Sequence, residues 1–196
     1  MPRPRDTTDP RTGPSAETAD TVLTAAFHLL VDEGIAALTP SRLHQETGVA
    51  RTTIYRHWPA PGDLVADLLA GATRRDDVGT YTGDLDHDLR VAVGTLTFRF
   101  ANRPLRAMLG ALVGIDRHSE HAASVGEEHV QGLLAPIREV LAAGLESGSL
   151  VTQVSLDELV AELAGPLMLR HVFLGQDLPD AQVEGLIVRF LREHRG

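Results

Sequence analysis

The sequence has neither cysteine nor lysine. Without cysteine there is no disulfide, no thiol nucleophile and no Cys-ligated zinc. All eighteen cationic side chains are arginine, which fits codon bias in a GC-rich genome rather than a functional demand. Aromatic residues make up only 4% of the chain, so nothing specially suggests a site for a large flat aromatic molecule. No stretch approaches the ~18 apolar residues of a membrane span. The opening MPRPRDTTDPRTGPSAET holds no apolar core of signal-peptide length, so a cytoplasmic protein is expected. A glycine-rich phosphate loop and a Gly-x-Ser-x-Gly elbow are also missing, and serine and histidine follow no catalytic pattern. The chain does not read as an enzyme, and no cofactor is expected.

What is present is a 43% apolar chain of 196 residues, enough for one large domain or two small ones with a real core. The formal net charge is −9, which excludes broad electrostatic wrapping of a polyanion. The acid is unevenly placed: residues 1–60 carry a net −1 and residues 61–196 a net −8. Within 39–58 the charges are Arg42, Arg51 and Arg56 against Glu46 alone, a local +2. A small basic spot on an acidic protein suits a short phosphate footprint.

The pattern along the chain is helical. Residues 1–15 are rich in Pro, Arg, Asp and Thr without apolar period, and are expected to form a mobile tail, with an arm assigned to 1–16. From Thr18, the residues Val22, Ala25, Ala26, Leu29 and Leu30 form one apolar stripe, ended by Gly34. Thr39-Pro40 starts a second helix as N-cap and first helical residue. It runs to Thr47 before Gly48. A third helix, Arg51 to Trp58, is closed by Pro59 and Pro61, and Asp63 opens a fourth through Leu64, Leu68 and Leu69. The polar stretch Arg74–Gly83 suggests a boundary, giving domains at 17–75 and 76–196. Five more helices are predicted at about 84–101, 104–115, 120–147, 156–173 and 180–194. Val151 to Val154 is too short to found a sheet. The fold class is all-α: an N-terminal three-helix helix-turn-helix unit, then a C-terminal helical bundle, about nine helices in all.

The segment PSRLHQETGVARTTIYRHW carries the function. Its two short helices meet at Gly48, where a positive φ is easy only for glycine. Leu43, Val49 and Ile54 are spaced to meet between them. The outer face of the second helix is then Arg51, Thr52, Thr53, Tyr55, Arg56 and His57. Such a face fits a major groove: arginine for guanine edges or phosphates, threonine for phosphate or thymine, tyrosine for phosphate. The competing reading is a plain helical hairpin in a core, which would leave that polar face without a purpose.

These residues resemble the TetR family of bacterial repressors. The resemblance lies in Glu33-Gly34, Ala37-Leu38-Thr39, Thr47-Gly48-Val49, the run Thr53-Ile54-Tyr55-Arg56-His57-Trp58-Pro59, and Leu64. It implies DNA contacts from Arg51, Thr52, Thr53, Tyr55 and His57, with Thr39, Ser41 and Arg42 touching backbone from the preceding helix; Ala50 and Arg56 are further DNA-binding candidates beside them. It also implies double-stranded DNA with a palindromic operator, a homodimer and a small-molecule effector as partners. Two positions depart from the family: His44 stands where a small residue is usual, and Pro61 stands where a phosphate-binding lysine is frequent. Arg56 or the tail residues Arg3, Arg5 and Arg11 are the substitutes for that anchor. The stretch GPLMLRHVFLGQDLPDAQVEGLIVRFL resembles one subgroup of the same repressors.

Two C-terminal helices have wide apolar faces, Leu156, Leu159, Val160, Leu163, Ala164 and Leu167, then Val183, Leu186, Ile187, Phe190 and Leu191. They can fold onto the domain or pair with a second copy. The resemblance favours pairing, which makes Leu156, Leu159, Val160, Leu163, Leu167, Val183, Leu186, Ile187 and Phe190 the expected dimer interface. Candidates for an effector pocket are Phe98, Met108, Leu112, Leu134, Ile137, Met168 and His171, with Arg170 a further polar candidate. Asp84, Asp86 and Asp88 imitate a calcium loop but lack its glycine and final glutamate, and are read as first-turn acids of a helix. His118 and His121 lack a third ligand, so no metal site is expected. The alternative function is a helical ligand-binding or scaffold protein that has lost operator binding.

Overall fold

In the computed structural model, residues 14–72, 81–114 and 120–196 are described; the tail with Arg3, Arg5 and Arg11, most of the Arg74–Gly83 boundary and His118 lie outside them. The chain order is α1 (Ala16–Glu33), a 3-10 turn (Ile35–Ala37), α2 (Pro40–Thr47), α3 (Arg51–His57), α4 (Pro61–Ala72), α5 (Leu85–Ala101), α6 (Arg103–Gly114), α7 (Glu120–Glu146), α8 (Leu156–Met168), a π turn (Leu169–Phe173) and α9 (Asp180–His194). The all-α prediction holds. Among the described residues the only β pairing is an isolated bridge between Leu150 and Arg195.

Local chemistry explains the boundaries. Ser15 caps α1 by accepting the Thr18 amide at 3.2 Å, which starts the helix two residues before the predicted Thr18. Thr39 caps α2 through the Arg42 amide at 3.2 Å, with Pro40 in the first turn. Gly48 ends α2 at φ 72°, and its N–H donates to the His44 carbonyl at 2.8 Å. Asp84 caps α5 through the His87 amide at 2.8 Å, and Asp88 accepts from the amides of Thr82 and Gly83, so these two acids are spent on starting a helix. Ser155 and Glu158 form a reciprocal capping box at the start of α8.

The predicted helix 156–173 changes character at its end. Pro166 has no N–H to give the Glu162 carbonyl, and beyond Met168 the chain widens into the π turn, with the Leu174 amide reaching Leu169 O at 3.0 Å. Wide turns of this kind frequently sit at functional sites.

Two apolar cores organise the molecule. The N-terminal core holds Val22, Leu29, Leu38, Leu43, Ile54, Trp58, Leu64 and Leu69 from α1–α4, but also Met108 and Ala111 from α6. The C-terminal core joins α5, α7, α8 and α9 through residues such as Leu96, Phe100, Ile137, Leu163, Ile187 and Phe190. Leu105 and Leu112 of α6 pack against both. Helix α6 is therefore a shared wall, and α4 packs directly on α6 and α7.

Gly48 has open space where a Cβ would go, so Gly48→Ala adds backbone strain and no clash. It is expected to lower stability by roughly 1–2 kcal/mol. Urea denaturation checks this; an unchanged midpoint would remove the left-handed turn from the account of how α2 meets α3.

Candidate nucleic-acid interface

The inner face of α3 is anchored. Ile54 and Leu43 are fully buried against each other's core and Trp58 is 4% exposed, while Val49 packs from the turn. This is the meeting of Leu43, Val49 and Ile54 that the spacing predicts. With that side sealed, Arg51, Thr52, Tyr55 and Arg56 stand exposed, and Thr53 and His57 are half-buried at the edges. Tyr55 is 62% exposed, so its ring is not a packing element. Arg51 makes no ion pair among the described residues, and Arg56 reaches only the neighbouring His57 ring at 3.5 Å. Ala50 precedes the helix as its exposed N-cap residue.

The flank from α2 is less free. Thr39 and Ser41 are exposed, but the Arg42 guanidinium is held by Glu33 at 3.0 Å and Glu46 at 2.9 Å. Its hydrogen bond and charge interaction with Glu33, then Glu46, push its pKa further above the usual arginine value. Exposed pairs of this kind are weak because water screens them, so a phosphate can compete for the guanidinium.

Both family departures have local explanations. His44 is half-buried and its Nδ1 lies 2.9 Å from the Val49 carbonyl, tying α2 to the residue after the Gly48 turn. Pro61 opens α4, and Asp63 accepts the Ala60 amide at 2.9 Å just before it.

One residue had no sequence signal. Asp67 of α4 accepts the Trp58 indole N–H at 2.8 Å with one oxygen, and its other oxygen lies 3.3 Å from His121 Nε2 on α7. A single carboxylate thus touches the end of α3 and the first turn of the longest C-terminal helix. The pairing joins residues far apart in sequence, which periodicity alone does not reveal.

The expected effector residues do not gather in one place. Ile137 and His171 are buried in the C-terminal core, with Leu134 and Met168 packed against it. Met108 belongs to the N-terminal core, Leu112 touches both, and Phe98 points outward, 80% exposed. Phe98 lies on the side of α5 away from the core that Leu96 and Phe100 fill, so it does not line an interior pocket. His171 is the polar residue that stands out. It is 2% exposed, both ring nitrogens lack a hydrogen-bond partner, and its ring lies 6.0 Å from Phe100. Burial lowers its pKa, opposed by Asp177, whose carboxylate is 3.6 Å from Nδ1. Arg170 is exposed and donates to Gln176 at 3.0 Å. Two clefts lie in the N-terminal part, one of about 480 Å³ between α1 and α2 and one of about 120 Å³ beside Trp58 and Pro61.

The expected dimer residues are largely covered within one chain. Leu159, Val160, Leu163, Leu167, Val183, Leu186, Ile187 and Phe190 are all at most 9% exposed within a single chain, and Leu156 packs partly against the same core. Their stripes are used up covering α5 and α7, so they are not a free surface. The outward side of α8 and its π turn instead carries Ala161, Gly165, Leu169 and Phe173; that of α9 carries Ala181, Val188 and Arg192. Leu169 and Phe173 are 54% and 53% exposed, and Val188 is 49%. Small residues between large ones carry too little hydropathy to mark this face in a periodicity reading.

A short helix seated by its apolar side, turned through a left-handed glycine and presenting a polar side outward, defines a helix-turn-helix protein with a helical C-terminal domain. Comparison with known proteins agrees over nearly the whole chain. Residues 22–68 match the bacterial regulatory proteins of the tetR family, and residues 80–189 match the tetracyclin repressor-like C-terminal domain. The chain belongs to the TetR family of transcriptional regulators. It is 26% identical over 175 residues to the uncharacterized HTH-type transcriptional regulator YdeS of Bacillus subtilis, covering 85% of this chain and 84% of that one. It is 23% identical over 158 residues to the regulator AqdR of Rhodococcus erythropolis, covering 81% and 76%. A TetR regulator from Agrobacterium tumefaciens has the same fold, with TM-score 0.70 at 22% identity over 92% of this chain and 96% of that one.

The Trp58–Asp67 bond gives a direct test of how α3 is held. Asp67→Leu leaves a buried indole N–H without its acceptor and is expected to cost about 1–3 kcal/mol. Asp67→Asn keeps an acceptor and is expected to cost less. Trp58 is the single tryptophan, so its fluorescence during urea denaturation reads both stability and the indole environment; equal midpoints for the two variants would contradict the bond's role.

Proposed function

We propose that this protein is a dimeric, sequence-specific DNA-binding repressor, acting in the cytoplasm and released by a small molecule held in its C-terminal domain. The observation that carries the reading is the outward polar face of α3, with Ile54 fully buried behind Arg51, Thr52 and Tyr55. In this reading Arg51 and Thr52 read base edges, Tyr55, Arg56 and His57 hold phosphates with Thr53 at the margin, and Ala50, Thr39, Ser41 and Arg42 border the backbone. One such helix makes few base contacts. Two related by a twofold axis read half-sites about 34–36 Å apart, or a multiple of that, on a palindromic operator. The second copy pairs through Leu169, Phe173 and Val188 rather than through the buried stripes.

The effector site centres on His171, whose ring nitrogens make no hydrogen bond and offer a buried polar group beside Phe100. Release is a shift between two dimer geometries, which requires that the effector favour one of them. Asp67 supplies a path, because movement of α7 at His121 acts on the carboxylate that holds the end of α3.

Fluorescence anisotropy with palindromic DNA from the protein's own upstream region tests the reading. Binding is expected to fall steeply with salt, and Arg51→Ala to weaken it by about 1–3 kcal/mol. No binding to any palindrome favours the alternative, a ligand-binding protein without operator affinity. In light scattering, Leu169→Glu combined with Phe173→Glu is expected to turn the dimer into a monomer; an undiminished dimer places the interface elsewhere.

A further inference from the structure

We infer that Glu162, Glu193 and His194 form a divalent-metal site of the zinc class, joining α8 to the last turn of α9. One ligand atom from each residue lies within 4.8 Å of the other two. His194 is 7% exposed, and its ring is fixed against Phe190 at a centroid distance of 4.7 Å. That packing aims Nε2 at the Glu162 carboxylate, 2.9 Å away.

A histidine–glutamate pair alone is a satisfied hydrogen bond and calls for nothing more. Glu193 adds a third ligand atom to that pair. It is exposed, converges on the same point, and forms no ion pair among the described residues. Arg195, next but one along the chain, is engaged by Asp86 on α5 instead. Two carboxylates therefore crowd one imidazole with no guanidinium between them, at the C-terminal end of a helix, where the backbone dipole also favours positive charge.

The donor set selects the ion. One neutral imidazole nitrogen and two carboxylate oxygens suit zinc and its first-row neighbours, whereas magnesium and calcium prefer oxygen alone. Ligand atoms each about 2.1 Å from a tetrahedral zinc lie about 3.4 Å apart. The observed 2.9 Å pair and the 4.8 Å limit bracket that spacing, so small side-chain rotations suffice. Three protein ligands leave a fourth position for water. The bound ion clamps α8 to α9 beside Ala161, on the outward face of α8.

The test uses the full chain stripped with a chelator and titrated with zinc sulfate by calorimetry. Wild type is expected to bind one ion per chain and to melt at a higher temperature when loaded. Glu193 makes no hydrogen bond or ion pair among the described residues, so Glu193→Gln is expected to leave the metal-free melting temperature unchanged while weakening zinc binding roughly tenfold or more. His194→Gln is expected to weaken it at least as much, and His121→Gln to leave it intact. No zinc uptake by wild type at millimolar metal overturns the site, as does undiminished uptake by Glu193→Gln. DNA binding is not part of the readout, so the site stands or falls independently of the repressor reading.

Discussion

Everything distinctive about the N-terminal part depends on burying one side of a helix of seven residues. A helix this short does not hold its shape alone in water, because nucleation is costly and few backbone bonds repay it. Ile54, fully buried, and Trp58, 4% exposed, supply the missing stability by packing on Leu43, Leu38 and Leu64. Because Ile54 is the apolar position within α3 and Trp58 follows the helix directly, every other side chain of the helix is left at the surface or its edge. Orientation and display are thus one event: the seat that stabilises α3 also turns its polar side outward.

The same seat is tied to the rest of the molecule. Met108 and Ala111 of α6 complete the N-terminal core, Leu109 of the same helix belongs to the other, and Leu105 and Leu112 pack against both. Helix α4 packs on both α6 and α7, so a displacement within the C-terminal bundle meets a packed wall rather than a flexible hinge. The polar bridge from His121 through Asp67 to Trp58 runs along that wall. Arg103 adds a second tie, reaching the Val31 carbonyl on α1 at 3.2 Å.

Features written in local sequence were legible. Gly48 at positive φ, the Thr39-Pro40 start, the Leu43–Val49–Ile54 meeting and the outward Arg51–His57 face follow from spacing and from the chemistry of single residues. The C-terminal surfaces were less so, for a definite reason. An apolar stripe on a helix says that something covers it, not what does. Leu163 and Phe190 lie on such stripes, and within one chain it is α5 and α7 that cover them. Phe98 shows the converse, an aromatic residue on a core helix that nonetheless faces solvent at 80% exposure. Asp67 and the Glu162–Glu193–His194 cluster join separate helices, and no local pattern encodes such meetings.

Charge places a further constraint on how such a chain meets a polyanion. At net −9, the molecule as a whole repels nucleic acid at long range. At physiological ionic strength that repulsion decays over about 8 Å, so contact is decided by the groups at the interface itself. There Arg51 and Arg56 are available at once, while Arg42 is bound to Glu33 and Glu46 and must exchange carboxylate for phosphate. So few cations release few counterions, which leaves little nonspecific affinity to hold the protein on arbitrary sequence. In the proposed repressor a larger share of the binding energy then comes from the base-edge contacts of Arg51 and Thr52, and the acidic body works as a filter that lets only matched sites compete with solvent.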